Sequence, residues 1–88
     1  MKTVYKYQIS MTADVRVMMP EGATVVAVNL DHSREPCVWA VVDPSAPATV
    51  ERKFGVYGTG GQVPDFWEYV GTFFALPWVW HVFEEKQS

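Results

Sequence analysis

Apolar and polar residues alternate with a period of two along most of the chain, a pattern typical of half-buried β-strands. In residues 4–9, Tyr5, Tyr7 and Ile9 fall on one side of such a strand, and residues 15–19 repeat the pattern. The i, i+3, i+4, i+7 spacing of an amphipathic helix is hard to find. We therefore predict a series of consecutive short strands.

The middle of the chain contains two segments that are apolar at nearly every position, residues 23–30 and 37–42. Such segments are typical of central strands that are covered on both faces. Residues 49–58 are more polar, which favours a strand nearer to the edge of a sheet. The triplet Pro20-Glu21-Gly22 predicts a tight hairpin between the strands on either side of it.

A closing pair of strands is predicted over residues 68–74 and 78–84, on either side of Ala75-Leu76-Pro77. At most one short helical turn fits, after Pro64-Asp65. We predict an all-β, mainly antiparallel fold of about seven short strands, arranged as a small sandwich or barrel.

No linker or internal repeat divides the chain, so we expect residues 1–88 to form a single domain. The segment 85–88 is polar and is expected to fray.

Composition adds two expectations about partners. Hydrophobic residues make up 49% of the 88 positions and aromatic residues 15%, more apolar surface than a core of this size can hold. We therefore expect a homo-oligomer. A net charge of −3 argues against general nucleic-acid binding, which requires a basic surface.

One cysteine excludes an internal disulfide and favours a reducing compartment, which predicts a cytoplasmic protein. No apolar run approaches the roughly 20 residues that cross a bilayer, so no membrane association is expected.

No catalytic or metal-binding signature is present. Cys37 opens an apolar strand and is expected to be buried, and the spacing of Asp31, His32 and Cys37 matches no known metal motif. A lone His81 on the last strand is expected to be hydrogen-bonded structure. We predict a protein that is not an enzyme and that holds neither metal nor cofactor.

The segment Tyr57-Gly58-Thr59-Gly60-Gly61 is either a hairpin turn or an anion site, since successive glycines let backbone N–H groups approach an anion. Tryptophans outside the core could stack on a flat ligand, although core or subunit packing is the commoner use of such residues. The ligand-binding candidates form three groups. Those near the turn are Arg52, Lys53, Tyr57 and Thr59. The candidate stacking surfaces are Trp39, Trp67 and Trp78, and the candidate phosphate contacts are Arg16 and Arg34.

Several segments resemble a family of small, uncharacterised, β-rich proteins encoded by phages and prophages: Tyr5-Lys6-Tyr7, residues 19–23, 39–44, 57–60, 69–73 and 81–84. The resemblance spans nearly the whole chain and implies a context, but it assigns no residue a role. Small phage proteins often act by occupying a component of host defence in the host cytoplasm.

The resemblance leads to two hypotheses of different classes. The first is a non-enzymatic counter-defence protein that sequesters a nucleotide-derived host immune signal as a homo-oligomer. The second is an inhibitor that binds a host defence or CRISPR protein, or a small structural and oligomerisation module, in which the same aromatic residues anchor a protein partner.

Overall fold

The computed structural model describes residues 1–86, which form seven β-strands and no helix. The predicted all-β class, the antiparallel pairing and the number of strands are confirmed. The strands are β1 (Thr3–Gln8), β2 (Val15–Met19), β3 (Thr24–Leu30), β4 (Pro36–Val42), β5 (Val50–Gly58), β6 (Trp67–Ala75) and β7 (Trp78–Glu85).

The strands form two antiparallel sheets that share one core, so the fold is a sandwich. The three-stranded sheet has the order β1-β4-β3, and the four-stranded sheet has the order β2-β5-β7-β6. Both sheets and the segments between strands contribute buried side chains, namely Ile9, Val15, Met19, Ala23, Val38, Ala40, Val42, Phe54, Val56, Phe73 and Val82.

Cys37 is buried at the start of β4, as the sequence predicts. Its Sγ lies 3.4 Å from the carbonyl oxygen of Glu35, and burial raises the pKa of the thiol. A thiol held in its protonated form is a packing group and a poor nucleophile.

The predicted hairpin at Pro20-Glu21-Gly22 is wrong. The chain does reverse there, since the N–H of Ala23 donates to the carbonyl of Pro20 over 3.2 Å and Gly22 has a φ of 81°. However, β2 pairs with β5 and β3 pairs with β4, so the turn carries the chain from one sheet to the other. Local turn chemistry determines a reversal but does not choose the strand partner.

Two predictions of strand position are also wrong. Strand β3 is an edge strand with exposed positions such as Val26, although its sequence is almost wholly apolar. Strand β5 is central, although it is polar. Its basic residues are accommodated by ion pairs with the neighbouring strand β7, Arg52 with Glu84 and Lys53 with Glu85.

The two closing strands β6 and β7 form the predicted hairpin, with Ala75 opposite Trp78 and a cis peptide bond between Leu76 and Pro77. Asp65 and Phe66 form a turn and not a helix. Strand β7 continues through Glu85, which is paired with Trp67. The expected fraying of residues 87 and 88 lies outside the described residues.

Strands β3 and β6 approach each other closely where the edges of the two sheets meet. A Cβ atom at Gly71 would stand 3.1 Å from the Cβ and Cγ2 of Val28. A side chain at Gly71 would need Val28 to move by a few tenths of an ångström, so the glycine matches the close approach of the two strands and not a special backbone conformation.

Arg52 forms a clamp between β7 and the turn that leads from β2 to β3, at the end of the sandwich where β5 begins. Its Nε and Nη2 both donate to the carboxylate of Glu84 on β7, the second over 2.9 Å, and its Nη1 donates to the carbonyl of Ala23 over 2.8 Å. Both side chains of the pair are largely buried. The hydrogen bond to Glu84 raises the pKa of Arg52.

We expect Glu84→Ala to lower the free energy of unfolding by about 2–3 kcal/mol, because it leaves a largely buried guanidinium without its partner. Asp14→Ala is the matched control, since it breaks the exposed ion pair with Arg16 and should cost less than about 0.5 kcal/mol. Urea unfolding measures both. Equal losses would contradict the assignment of Arg52 as a clamp.

Asp31 organises the loop between β3 and β4. Its Oδ1 accepts hydrogen bonds from the N–H groups of Ser33 and Glu35 over 2.8 and 3.0 Å, and Lys6 Nζ lies 3.2 Å from its Oδ2. The backbone hydrogen bond from Glu35 contributes most to lowering the pKa of Asp31 from 3.8 to about 2.

A carboxylate whose pKa is lower in the folded state stabilises the fold above its unfolded pKa and loses that contribution as the pH falls through its folded pKa. We therefore expect wild type to be more stable than Asp31→Asn at pH 7, with the difference disappearing between about pH 4 and pH 2. Thermal unfolding across this range tests the expectation. A difference that keeps its full pH 7 size at pH 2 would contradict it.

Candidate functional site

The face of the four-stranded sheet that points away from the core is rich in aromatic residues, and we call it the outer face. Residues that are direct partners in an antiparallel pair project to the same side, so the register identifies its members. They are Arg16 and Met18 on β2, Glu51, Lys53, Gly55 and Tyr57 on β5, Trp67, Tyr69, Thr72 and Phe74 on β6, and Val79, His81, Phe83 and Glu85 on β7.

Three aromatic rings form a row across the centre of the outer face. Tyr57 and Phe83 have ring centroids 6.2 Å apart at 75°, and Phe83 and Tyr69 have centroids 5.6 Å apart at 69°. These are the edge-to-face contacts that aromatic quadrupoles favour. The row joins β5, β7 and β6, and Tyr69 remains 61% exposed at its end.

Tyr57 lies along its own strand and covers Gly55. A Cβ at Gly55 would stand 2.6–2.8 Å from the Cε2, Cζ and Oη atoms of Tyr57, which is closer than two unbonded atoms can come. Gly55 is therefore buried beneath the ring although it belongs to the outer face. The ring therefore lies against the backbone of its own strand, is half-buried, and lines the cleft beside the glycine turn.

Two basic residues lie beside this ring. Arg16 and Lys53 are directly opposite each other on β2 and β5, and Lys53 is two residues from Gly55. Each already has an acidic neighbour, with Lys53 Nζ 3.7 Å from Glu85 Oε2 and Arg16 Nε 3.2 Å from Asp14 Oδ1. Both pairs are exposed and contribute little, so either cation can turn to an anionic ligand at low cost.

A chain of hydrogen bonds borders the rings on the side of the glycine turn. Tyr69 Oη lies 2.6 Å from Thr72 Oγ1, which lies 3.0 Å from His81 Nδ1, and His81 Nε2 lies 2.9 Å from Thr59 Oγ1. The prediction that His81 is hydrogen-bonded is confirmed. Both ring nitrogens face hydroxyl groups and not a carboxylate, so the arrangement lacks the anion that steadies a catalytic histidine in a serine-protease triad.

A shallow cleft of about 280 Å³ lies between the row of rings and the glycine turn. None of its lining residues is an aspartate, glutamate, lysine or arginine: Tyr57, Gly58, Thr59, Gly60, Gly61, Val63, His81 and Phe83. The turn is closed by a hydrogen bond from the N–H of Gly61 to the carbonyl of Gly58 over 2.9 Å. The cleft fits an uncharged flat group better than a phosphate.

Five of the nine residues predicted from the sequence meet on or beside the outer face: Arg16, Lys53, Tyr57, Thr59 and Trp67. The other four lie elsewhere. Arg52 faces the core side in its clamp, and Trp78 lines a separate cleft. Trp39 belongs to the three-stranded sheet, opposite Lys6, and Arg34 lies in the loop between β3 and β4.

Sequence reasoning missed Phe83, Tyr69, Thr72 and Gly55 as members of the site. Alternation along β7 does place His81 and Phe83 on one side of that strand. Which side of β5 and β6 they would join depends on the register between strands, and no single segment of sequence encodes that register.

Residues 1–86 contain no group of three or more histidine, cysteine, aspartate or glutamate side chains placed to hold a metal ion. No helix in this part of the chain is long and apolar enough to span a membrane.

A family model described as a domain of unknown function, DUF7352, matches residues 1–88. The chain belongs to this family. No curated protein and no solved structure matches it. The family model covers the whole chain, so the outer face and both clefts are parts of the DUF7352 domain itself.

We expect Gly55→Ala to lower the free energy of unfolding by about 1–3 kcal/mol, because the new methyl group collides with the ring of Tyr57. In a Tyr57→Ala background the same change should cost much less, since the ring is gone. Urea unfolding of the four proteins gives the coupling energy. Additive effects would show that Tyr57 does not rest on Gly55.

Proposed function

We propose that this protein is a non-enzymatic binding protein that sequesters a nucleotide-like small molecule on the outer face of its four-stranded sheet. The observation that carries the proposal is the position of Tyr57 above Gly55, beside two cations on the same face. Successive residues on one face of a strand are roughly 6.7 Å apart, so Lys53 is near the ring that covers Gly55.

The outer face offers an aromatic surface for the base of a nucleotide and cations for its phosphate. The outward side of Tyr57 offers a stacking surface for a base, an interaction that costs roughly 1–3 kcal/mol when the aromatic residue is replaced by alanine. Lys53 and Arg16 offer donors to a phosphate, and Arg16 can do so through two nitrogens at once.

The hydrogen-bonded hydroxyl and imidazole groups beside the rings can form hydrogen bonds with the edge of a base. Thr59, Thr72 and His81 can each donate and accept, so they suit the mixed donor and acceptor edge of a base held in the adjoining cleft. Tyr57 and His81 belong both to this cleft and to the outer face, so a stacked ring and its polar edge would occupy adjacent positions.

Arg52 has no role in this proposal. All three of its guanidinium nitrogens are engaged, two with Glu84 and one with Ala23. The phosphate contact therefore rests on Lys53 and Arg16.

The biological context of the proposal comes from the resemblance to phage-encoded proteins. A protein that binds without chemistry acts stoichiometrically, as expected for a counter-defence protein that removes a nucleotide-derived signal in the host cytoplasm. The proposed state is a homo-oligomer.

The proposal is tested with isothermal titration and thermal unfolding, using adenosine 5′-monophosphate, 3′,5′-cyclic AMP, cyclic di-AMP and adenosine as probes. A bound probe raises the melting temperature by mass action. We expect Tyr57→Ala to weaken binding of the phosphorylated probe that binds best roughly tenfold or more. Lys53→Ala and Arg16→Ala should weaken it while leaving adenosine unaffected.

Arg34→Gln is the control, because it removes the same charge from the loop of the other sheet. It should leave binding unchanged. Loss of binding in Arg34→Gln equal to that in Lys53→Ala would place the phosphate elsewhere.

A second candidate function is supported by Tyr69 and Phe74, which are 61% and 63% exposed on the same face. Large exposed aromatic side chains are typical anchors of protein interfaces. If no nucleotide probe binds at millimolar concentration, the ligand proposal fails and a protein partner on this face becomes the better account.

A further inference from the structure

The tip of the β6–β7 hairpin exposes three large apolar side chains that do not contribute to the core. Leu76 is 82% exposed, Trp78 65% and Phe74 63%. Phe74 projects from the outer face, Trp78 from the opposite face and Leu76 from the turn between the two strands. Exposed apolar surface of this extent often marks a contact with another molecule. We call Phe74, Leu76 and Trp78 the hairpin tip.

An open apolar cleft lies beside the hairpin tip. Its volume is about 540 Å³, and it is lined by Gly58, Thr59, Pro77, Trp78, Val79 and Trp80. The indole of Trp80 packs over Gly58, where a Cβ would stand 3.4 Å from Cζ3 of the ring. A projecting leucine and an apolar hollow thus occur next to each other on one surface.

The charged residues of the four-stranded sheet are concentrated toward one of its ends. Its carboxylates Glu51, Glu68, Glu84 and Glu85 lie at the end where β5 and β6 begin and β7 ends. The cations Arg16, Arg52 and Lys53 are toward the same end. The hairpin tip is at the opposite end, and none of the residues that line its cleft carries a formal charge.

We propose that the hairpin tip is the contact surface of a two-fold homodimer, in which Leu76 of each copy enters the apolar cleft of the other. A two-fold contact uses the same patch twice, so it requires a surface that carries both the projection and the hollow. This arrangement also points the charged ends of the two sheets away from the contact, so no charged side chain of the four-stranded sheet loses its hydration there.

The size of the patch predicts a weak dimer. The three side chains expose roughly 400 Å² per copy, so two copies bury roughly 800 Å² from them alone. The walls of the cleft bring the total toward the lower end of the roughly 1,200–2,000 Å² of stable interfaces. We therefore expect a dimer that dissociates on dilution in the micromolar range.

Sedimentation and light scattering over a concentration series test the dimer. Wild type should change from 10.0 kDa at low concentration to twice that mass at high concentration. Leu76→Asp and Trp78→Glu should each raise the dissociation constant at least tenfold, because each places a carboxylate in an apolar contact.

Phe66→Asp is the matched control. It adds the same charge at an exposed apolar residue, 87% exposed and with a φ of 71°, at the charged end of the sheet. It should leave the dimer intact. Circular dichroism checks that every variant is folded. If Leu76→Asp does not fold, Trp78→Glu tests the contact in its place.

Three results would overturn the proposal: a monomeric wild type at millimolar concentration, dimers that resist both tip variants, or equal weakening by Phe66→Asp. The inference does not rest on the ligand site. Gly55→Ala and Lys53→Ala should leave the dimer unchanged, and a nucleotide probe should bind Leu76→Asp within about twofold of wild type. The two proposals can therefore fail separately.

Discussion

The organisation of this protein follows from a four-stranded sheet that has apolar side chains on both faces, with one three-stranded sheet to cover them. The inner face receives the buried residues, among them Phe54, Phe73 and Val82. The outer face keeps Tyr57, Phe83 and Tyr69, which reduce their contact with water by packing edge to face. An aromatic surface on the outside is thus a consequence of how few strands an 88-residue chain can provide.

Two glycines allow close contacts within the sandwich. Gly71 lets β6 come against Val28 of the other sheet, and Gly55 lets the ring of Tyr57 lie on the backbone. The basic residues of this sheet differ in a similar way. Arg52 forms its hydrogen bonds within the fold, whereas Lys53 and Arg16, on the opposite face, form only weak exposed ion pairs. Residues adjacent in sequence therefore have opposite uses, one structural and one available for binding.

The sequence predicts what depends on local pattern and misses what depends on pairing between distant segments. Alternation and short apolar runs predict about seven strands, the closing hairpin and a buried Cys37, and the structure confirms all three. The central position of β5 and the passage of the chain between sheets at Pro20-Glu21-Gly22 could not be predicted, because register and strand order arise from long-range packing. For the same reason Tyr57 and Lys53 could be identified as candidates, whereas their neighbours Phe83 and Tyr69 could not.

The location of a ligand on the uncovered aromatic face, where we propose that it binds, can be measured directly. Backbone and aromatic chemical shifts of the labelled protein are followed by NMR during a titration with adenosine 5′-monophosphate. We expect the perturbed resonances to concentrate on Lys53, Tyr57, Thr59, His81 and Phe83, with the Trp39 face of the other sheet unchanged. Perturbations centred on Trp39, or spread evenly over both sheets, would contradict this expectation.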